Sequence, residues 1–531
     1  MPGMMWRWRA LLLPLVLLAA FVPPWLQPGD GAQAGPGAVP LWIENGRPTA
    51  AARQALAVLR AAAEEGLDPA DYRVDTLDRL AVSLDDAASA ARGKAAGFDA
   101  DLTTSMVRYL RDLHVGRVDP RAIGFRLDAP DEGHDFEGLV REAARTQTIP
   151  RLVDDFRPPL KQYSDLKQAL RVYRAMPLVD ARLPTPARSV HPGERYEAVD
   201  RLRDVLSVLG DLPPRTSPAG AASNAGQGLY AGAAVDGVTA FQRRHGLDAD
   251  GVLGRATIAA LNVPVSARVR QIELSLERLR WLPHIPGPRL LALNIPMFQL
   301  WGWDALPGDR DPSFTMAVIV GRALRTGTPV MVRELREVIF RPYWNVPRSI
   351  LLNEVLPALS KDPQYLSRQA MEIVDGQSDE ARVVEKSAAN LARLRQGGLR
   401  LRQRPGPRNS LGLVKFVFPN DESIYMHDTP AQVLFNRSRR DFSHGCVRVQ
   451  EPVALAEWAL ADTGGWPRER IEGAMHAGPD SQHVRLRQGI QVVLYYTTAA
   501  VMPDGVIRFA DDIYQYDTRL DRALEARRAK P

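Results

Sequence analysis

The strongest constraint on the fold is a change of hydrophobic rhythm near Arg289. From there, "LLALNIPMFQLWGW", "FTMAVIVG", "REVIFRPYWNVP", "LGLVKFVFPN", "SIYMHDTP" and "IQVVLYYTT" are short runs rich in Val, Ile, Phe and Tyr. Gly, Pro, Asn and Asp punctuate them, which is the pattern of β-strands and turns. Before Arg289 the period is helical. Leu102, Met106, Leu110 and Leu113 recur along one face of "FDADLTTSMVRYLRDLHVGRVDP", with Gly116 and Pro120 as the stop. "AARQALAVLRAAAEEGLDP" repeats the arrangement ahead of Gly66 and Pro69. The chain has 531 residues, room for three or four domains of roughly 100–200 residues each. The expectation is an α+β multidomain protein.

Its segments divide as follows. Residues 38–190 read as a helical scaffold without chemistry, whose carboxylates and His134 lie among Gly and Pro as in solvated loops. Residues 191–264 read as a small three-helix unit: "RYEAVDRLRDVLSVLGDLPP", a Gly/Ala/Ser-rich connection, then two helices separated by turns at Asp250-Gly251 and Gly254. A connecting helix, "ARVRQIELSLERLRWLP", leads to a mainly-β domain over 286–500. Within it, 351–400 is too long for a plain loop and reads as a helical insertion, a lid or a substrate-binding wall. Residues 501–531 read as a tail, an exposed helix or a frayed end.

At the N-terminus, Arg7 and Arg9 precede an apolar run from Ala10 to Val22 and a small-residue site at Ala32-Gln33-Ala34. Residues 1–34 thus read as a secretory signal peptide, with an uncleaved inner-membrane anchor as the alternative. The expected location is outside the cytoplasm, in the periplasm or cell envelope. The formal net charge of +6 is small for this length, and no basic run marks a nucleic-acid partner.

Export bears on Cys446, the one cysteine of the chain, in "RRDFSHGCVRVQ". It cannot form an internal disulfide, so it is either an inert buried thiol or a reactive one. Gly445 lets the backbone turn tightly beside it, and a helix starting near Pro452 follows closely, which favours a thiolate. A nucleophilic cysteine also needs a base. Among nine histidines, His427 stands out because it ends the strand "SIYMH" and Asp428 and Pro430 turn the chain after it.

A histidine, the fifteen residues 428–442, then Ser443-His444-Gly445-Cys446 resembles the active-site pattern of the L,D-transpeptidases. "RPYWNVPRSI", "LPALSKDPQYL", "RQRPGPRNSLGLVKFVFPN", "YMHDTPAQVLF" and "SHGCVRVQEPVALAEWAL" are similar to the long, multidomain branch of that family. "AFQRRHGLDADGVLGRATIAALN" resembles the peptidoglycan-binding-like domain of wall-active proteins. The resemblance implies an L,D-transpeptidase-type catalytic domain, and peptidoglycan as partner, its stem peptides first and glycan as an open question. Other cell-wall enzymes stay open as partners.

It also implies roles. Cys446 is the expected nucleophile and His427 the expected base. His444 is expected to support the site, with the base as its alternative, and backbone N–H groups near Gly445 and Cys446 to bind the oxyanion. Ser443, Arg448, Tyr343, Trp344 and Asn345 are expected around the substrate, with a structural salt bridge for Arg448 and plain aromatic packing for Tyr343 and Trp344 as alternatives. No cofactor is expected. A zinc site of His427, His444 and Cys446 is disfavoured, since the cysteine lacks the usual paired ligand spacing.

Overall fold

The structure is a computed structural model describing residues 40–86, 92–127, 133–177, 182–213, 228–283, 287–304, 311–323 and 326–529. The expected leader, most of the Gly/Ala/Ser-rich connection and His284 lie outside these residues.

A short hairpin, β1 (Ile43–Glu44) and β2 (Arg47–Pro48), precedes six helices. They are α1 (Ala50–Arg60), α2 (Val74–Asp86), α3 (Arg92–Val115), α4 (Phe136–Arg145), α5 (Ile149–Asp155) and α6 (Lys161–Ala175). The Thr49 hydroxyl caps α1 by accepting the Ala52 N–H at 3.1 Å, and Ala52, Ala55, Leu56 and Leu59 form its buried stripe. Two carboxylates of this region are not solvated as the sequence reading expects. Glu65 is 2% exposed and Asp112 is 3% exposed. Glu65 meets Arg157, Lys167 and the Tyr163 hydroxyl, and Asp112 meets Arg527 from the far end of the chain. Gly and Pro nearby mark tight turns between packed helices here, not open loops.

The second unit contains α7 (Val199–Val208), α8 (Ala233–Arg244) and α9 (Arg255–Leu261) around its own core of Leu202, Leu206, Val238, Phe241 and Ile258. Gln242 fixes its turn: the amide donates to Asp250 Oδ1 and the Val252 carbonyl and accepts the Gly251 N–H at 2.8 Å. Helix α10 (Val265–Leu279) then does more than connect. It packs against α6, and its Glu277, together with Arg280 just beyond its end, is almost fully buried.

The β region holds β3 (Leu290–Asn294), β4 (Gln299–Trp303), β5 (Phe314–Gly321), β6 (Met331–Phe340) and β7 (Trp344–Asn345). The insertion follows with α11 (Arg348–Ile350), a π-helical turn at Leu351–Val355, α12 (Leu356–Lys361), α13 (Tyr365–Arg368), β8 (Met371–Asp375), β9 (Arg382–Val384), α14 (Ala388–Gln396) and β10 (Arg400–Gln403). It is therefore helical only in part. Its strands pair with β7 into a separate four-stranded sheet in the order β7-β10-β8-β9.

The remainder is β11 (Val414–Val417), β12 (Met426–His427), β13 (Asp441–Ser443), β14 (Val447–Val449), α15 (Pro452–Leu460), α16 (Arg468–Ala477) and β15 (Gln482–Tyr495). The main sheet runs β13-β5-β14-β12-β11-β6-β15-β3-β4, and a further β4–β5 pairing closes it on itself. Its inner face carries the largest core, including Val338, Phe340, Val414, Phe416, Met426, Val447 and Val449, covered by Leu455 and Leu460 of α15.

The tail is not exposed. After the hairpin β16 (Ala499–Val501) and β17 (Ile507–Phe509), α17 (Tyr516–Arg528) buries Leu520 and Leu524 in the core of the β region. Each such side chain contributes roughly 1.5–3 kcal/mol. The high charge of "TRLDRALEARRAKP" hides these two apolar anchors, spaced one helical turn apart.

Candidate active site

Three strands lie side by side at the site. β12 runs parallel to β14, pairing Met426 with Val447 and His427 with Arg448, and antiparallel to β11, pairing His427 with Lys415. Met426, Val447, Val414 and Phe416 point into the core. Alternation therefore puts Lys415, His427 and Arg448 in one row on the other face, with Tyr425 and Cys446 in the next row.

Cys446 is half-buried, and its Sγ lies 3.7 Å from the Ser423 carbonyl. The Tyr425 hydroxyl and backbone N–H both face the sulfur. Burial pushes the thiol up from its ordinary range; Tyr425, Lys415 and Arg448 pull the other way without reversing it.

His427 is buried, 4% exposed, and Nδ1 meets the Asp428 carbonyl at 2.5 Å. A carbonyl only accepts, so Nδ1 carries the proton and Nε2 the lone pair. The Leu411 carbonyl also faces the ring. Burial, with the Arg448 and Lys415 cations, lowers the imidazole to about 3. The Asp428 carboxylate holds the turn by accepting the Leu413 and Thr429 N–H groups at 2.9 and 2.6 Å. A Cβ at Gly412 would stand 2.3 Å from that carboxylate, so only glycine fits there. The fold brings Cys446 and His427 onto one face of adjacent strands. No hydrogen bond joins them among the described residues, a common arrangement before substrate binds.

The loop before the sulfur is tightly held. Gly445 takes φ +116°, a backbone conformation suited to glycine, and a Cβ there would meet Ile424 at 3.1 Å. Its N–H donates to Ser443 Oγ at 3.1 Å, and that hydroxyl donates to the Cys446 carbonyl. The Gly445 N–H is thus engaged with Ser443 in the resting loop, and an N–H facing the sulfur comes from Tyr425. Ser443, 3% exposed, clamps the loop and offers nothing to solvent. Thr328 donates to the Gly445 carbonyl at 2.7 Å, and its own N–H donates to the Tyr514 hydroxyl at 3.0 Å.

His444 reaches the insertion, where Nε2 meets Glu354 Oε1 at 2.7 Å in the π-helical turn. Tyr343, Trp344 and Asn345 likewise engage the insertion. Arg402 sits over the Tyr343 ring at 4.0 Å, Trp344 packs against the insertion's core, and Asn345 Oδ1 accepts from Arg400 at 2.9 Å. Arg448 makes no ion pair among the described residues, and its buried Nε has no hydrogen-bond partner. Its expected alternative, a structural salt bridge, is therefore absent there. Sequence reasoning missed Lys415, Tyr425, Thr328 and Tyr514. Only Tyr425 carried a local signal, two positions before His427 on the same strand face. Among the described residues no cluster of three or more His, Cys, Asp or Glu could hold a metal.

Comparison with known proteins fits this geometry. Residues 299–472 match the L,D-transpeptidase catalytic domain, 195–261 the "Putative peptidoglycan binding domain" and 34–170 the scaffold domain. The chain carries an L,D-transpeptidase catalytic domain joined to a peptidoglycan-binding domain and an N-terminal scaffold domain. A protein of Haemophilus influenzae named "Putative L,D-transpeptidase" is 32% identical over 277 residues, 51% of this chain and 54% of that protein. The chain thus spans about half the length of this curated relative. Solved L,D-transpeptidases from Xylanimonas cellulosilytica DSM 15894 and Stackebrandtia nassauensis are 17% and 12% identical over 59% of this chain. They are covered to 100% and 97% of their own lengths, with TM-scores of 0.17 and 0.22, too low to bear on the fold.

Proposed function

We propose that this protein is an L,D-transpeptidase of the cell envelope that cross-links peptidoglycan stem peptides through a thioester on Cys446. The observation that carries the reading is the half-buried thiol with the Tyr425 N–H at its sulfur and an oriented, neutral imidazole on the neighbouring strand.

In the resting pair the proton sits on sulfur, because burial raises the thiol and lowers the imidazole. Sγ attacks the carbonyl between the L-centre of a diamino acid and the D-residue that follows it, as His427 Nε2 takes the thiol proton. The Tyr425 N–H and hydroxyl at the sulfur favour the thiolate as it forms. On collapse the C–N bond breaks, His427 returns the proton to the departing amine, and a thioester remains. An amine of a second stem attacks next, gives its proton to His427, and sulfur leaves to be reprotonated. No cofactor is required, since the donor peptide bond is exchanged for another. Among the described residues no helix is long and apolar enough to cross a membrane. A leader over 1–34 would deliver the enzyme to its substrate.

Purified protein with stem tetrapeptides is expected to yield cross-linked dimers. Monomeric tripeptides alone would make it an L,D-carboxypeptidase, and unchanged product from Cys446→Ala would refute the nucleophile.

A further inference from the structure

The peptide that leads into the nucleophile is gripped from inside the protein. Thr328 is fully buried, and its hydroxyl donates to the Gly445 carbonyl at 2.7 Å while accepting the Gly321 N–H at 2.8 Å. The Thr328 N–H donates to the Tyr514 hydroxyl at 3.0 Å, and that hydroxyl donates in turn to the Gly321 carbonyl at 2.6 Å. Tyr514 is itself buried, and its ring closes on Gly327, where a Cβ would stand 3.2 Å from it. This relay ends on one carbonyl. In a trans peptide the carbonyl and the N–H point to opposite sides, and no described peptide bond is cis. Holding the Gly445 carbonyl toward Thr328 therefore aims the Cys446 N–H the other way. That N–H has no partner among the described residues.

We infer that Thr328 and Tyr514 are positioning residues for acyl transfer, which hold the Gly445–Cys446 peptide so that the Cys446 N–H receives the oxyanion. This role rests on the transpeptidase reading above. When Sγ bonds to the scissile carbon, the carbonyl π pair moves onto oxygen, and an N–H on the nucleophile's own residue lies within its reach. In the resting loop the Gly445 N–H is engaged with Ser443, whereas the Cys446 N–H stays open. Neither Thr328 nor Tyr514 touches the substrate; both act through the peptide they orient. The match to the catalytic domain ends at residue 472, so Tyr514, between β17 and α17, serves the loop from beyond it. Turnover thereby comes to depend on the C-terminal segment.

The test uses the full chain and two reactions, turnover of stem tetrapeptides and alkylation of Cys446 by iodoacetamide at alkaline pH. Alkylation displaces iodide from a saturated carbon and builds no oxyanion, so it reads the thiol and its loop but not the aimed N–H. Thr328→Val removes the hydroxyl at nearly constant shape. It is expected to lower kcat roughly 10–100-fold, less than outright loss of an oxyanion donor, with KM and alkylation within about twofold of wild type. Thr328→Ser keeps the hydroxyl and is expected to retain most of kcat. Tyr514→Phe loses only the phenol oxygen and is expected to lower kcat by a smaller factor, roughly 3–10-fold, again without changing alkylation. With its ring in place it carries the test even if Thr328→Val fails to fold. Unchanged kcat in both variants would overturn the inference and leave the transpeptidase reading standing. So would alkylation changed as much as turnover, since the loop itself would then have moved, or Thr328→Ser as slow as Thr328→Val. Wild type that is alkylated at Cys446 yet inactive on stem peptides would overturn the transpeptidase reading and this inference with it.

Discussion

At the residue scale the site is organised around where one proton rests. Many reactive cysteines are held as thiolates by a charged neighbour. Here the same burial that shields the site raises the Cys446 thiol and lowers His427 to about 3, so both groups are neutral through the physiological range. In the reaction proposed above, thiolate and imidazolium arise only as bonds change. Alkylation of Cys446 by iodoacetamide is therefore expected to rise steadily with pH and to keep rising beyond the ordinary thiol range. A plateau between pH 5 and 8 would instead reveal a preformed ion pair. Cys446 and His427 were legible in the sequence because both lie on one short stretch with fixed spacing. Lys415 was not, since only register across three strands sets it beside them. The direction of His444 was equally hidden: its partner Glu354 lies ninety positions away.

At the scale of elements, the His444–Glu354 pair ties the insertion to the nucleophile loop. The sequence suggested helices over 351–400, yet β8 and β10 build a small sheet with β7. "RLRQ" carries two arginines, and they are used: Arg402 meets Glu372 at 2.6 Å and lies over Tyr343. Single-strand patterning cannot show that such a charged run is buried by neighbours, as Arg402 is at 4% exposed. Glu354 sits in a π-helical turn, a distortion often found where function constrains a helix. Because the pair is largely exposed, Glu354→Gln is expected to change stability by less than about 1 kcal/mol. If the insertion keeps water from the proposed thioester, loosening it should shift products from cross-linked dimer toward hydrolysed tripeptide. Chromatography of the products from matched reactions measures the ratio, and an unchanged ratio would mean that the insertion does not guard the intermediate.

At the scale of the whole molecule, three sequence-distant segments converge on α10. Arg117, in the turn after α3, donates to Glu277 through its backbone N–H and, at 3.0 Å, through Nε. Arg280 adds a bond at 2.9 Å and reaches the Tyr163 hydroxyl of α6 at 2.8 Å. Burial alone would raise the Glu277 carboxyl, but Arg117 and Arg280 hold it below the usual carboxylate range. From the other side, α17 joins the β core through Leu520 and Leu524 and the scaffold through Arg527 and Asp112. Just before α17, the Tyr514 hydroxyl donates to the Gly321 carbonyl and accepts the N–H of Thr328, which holds the Gly445 carbonyl. A continuous set of contacts thus runs from scaffold to nucleophile loop. None of it is periodic in sequence, which is why α10 looked like a linker and α17 like a loose tail. Glu277→Leu would leave two buried guanidinium groups without their carboxylate, a change expected to cost about 3–5 kcal/mol. If the scaffold and catalytic domain stand together, urea should then abolish turnover at lower concentration than in wild type. If they are independent, the scaffold helices would unfold early while turnover persisted to the wild-type midpoint. The buried contacts at both α10 and α17 predict the first outcome.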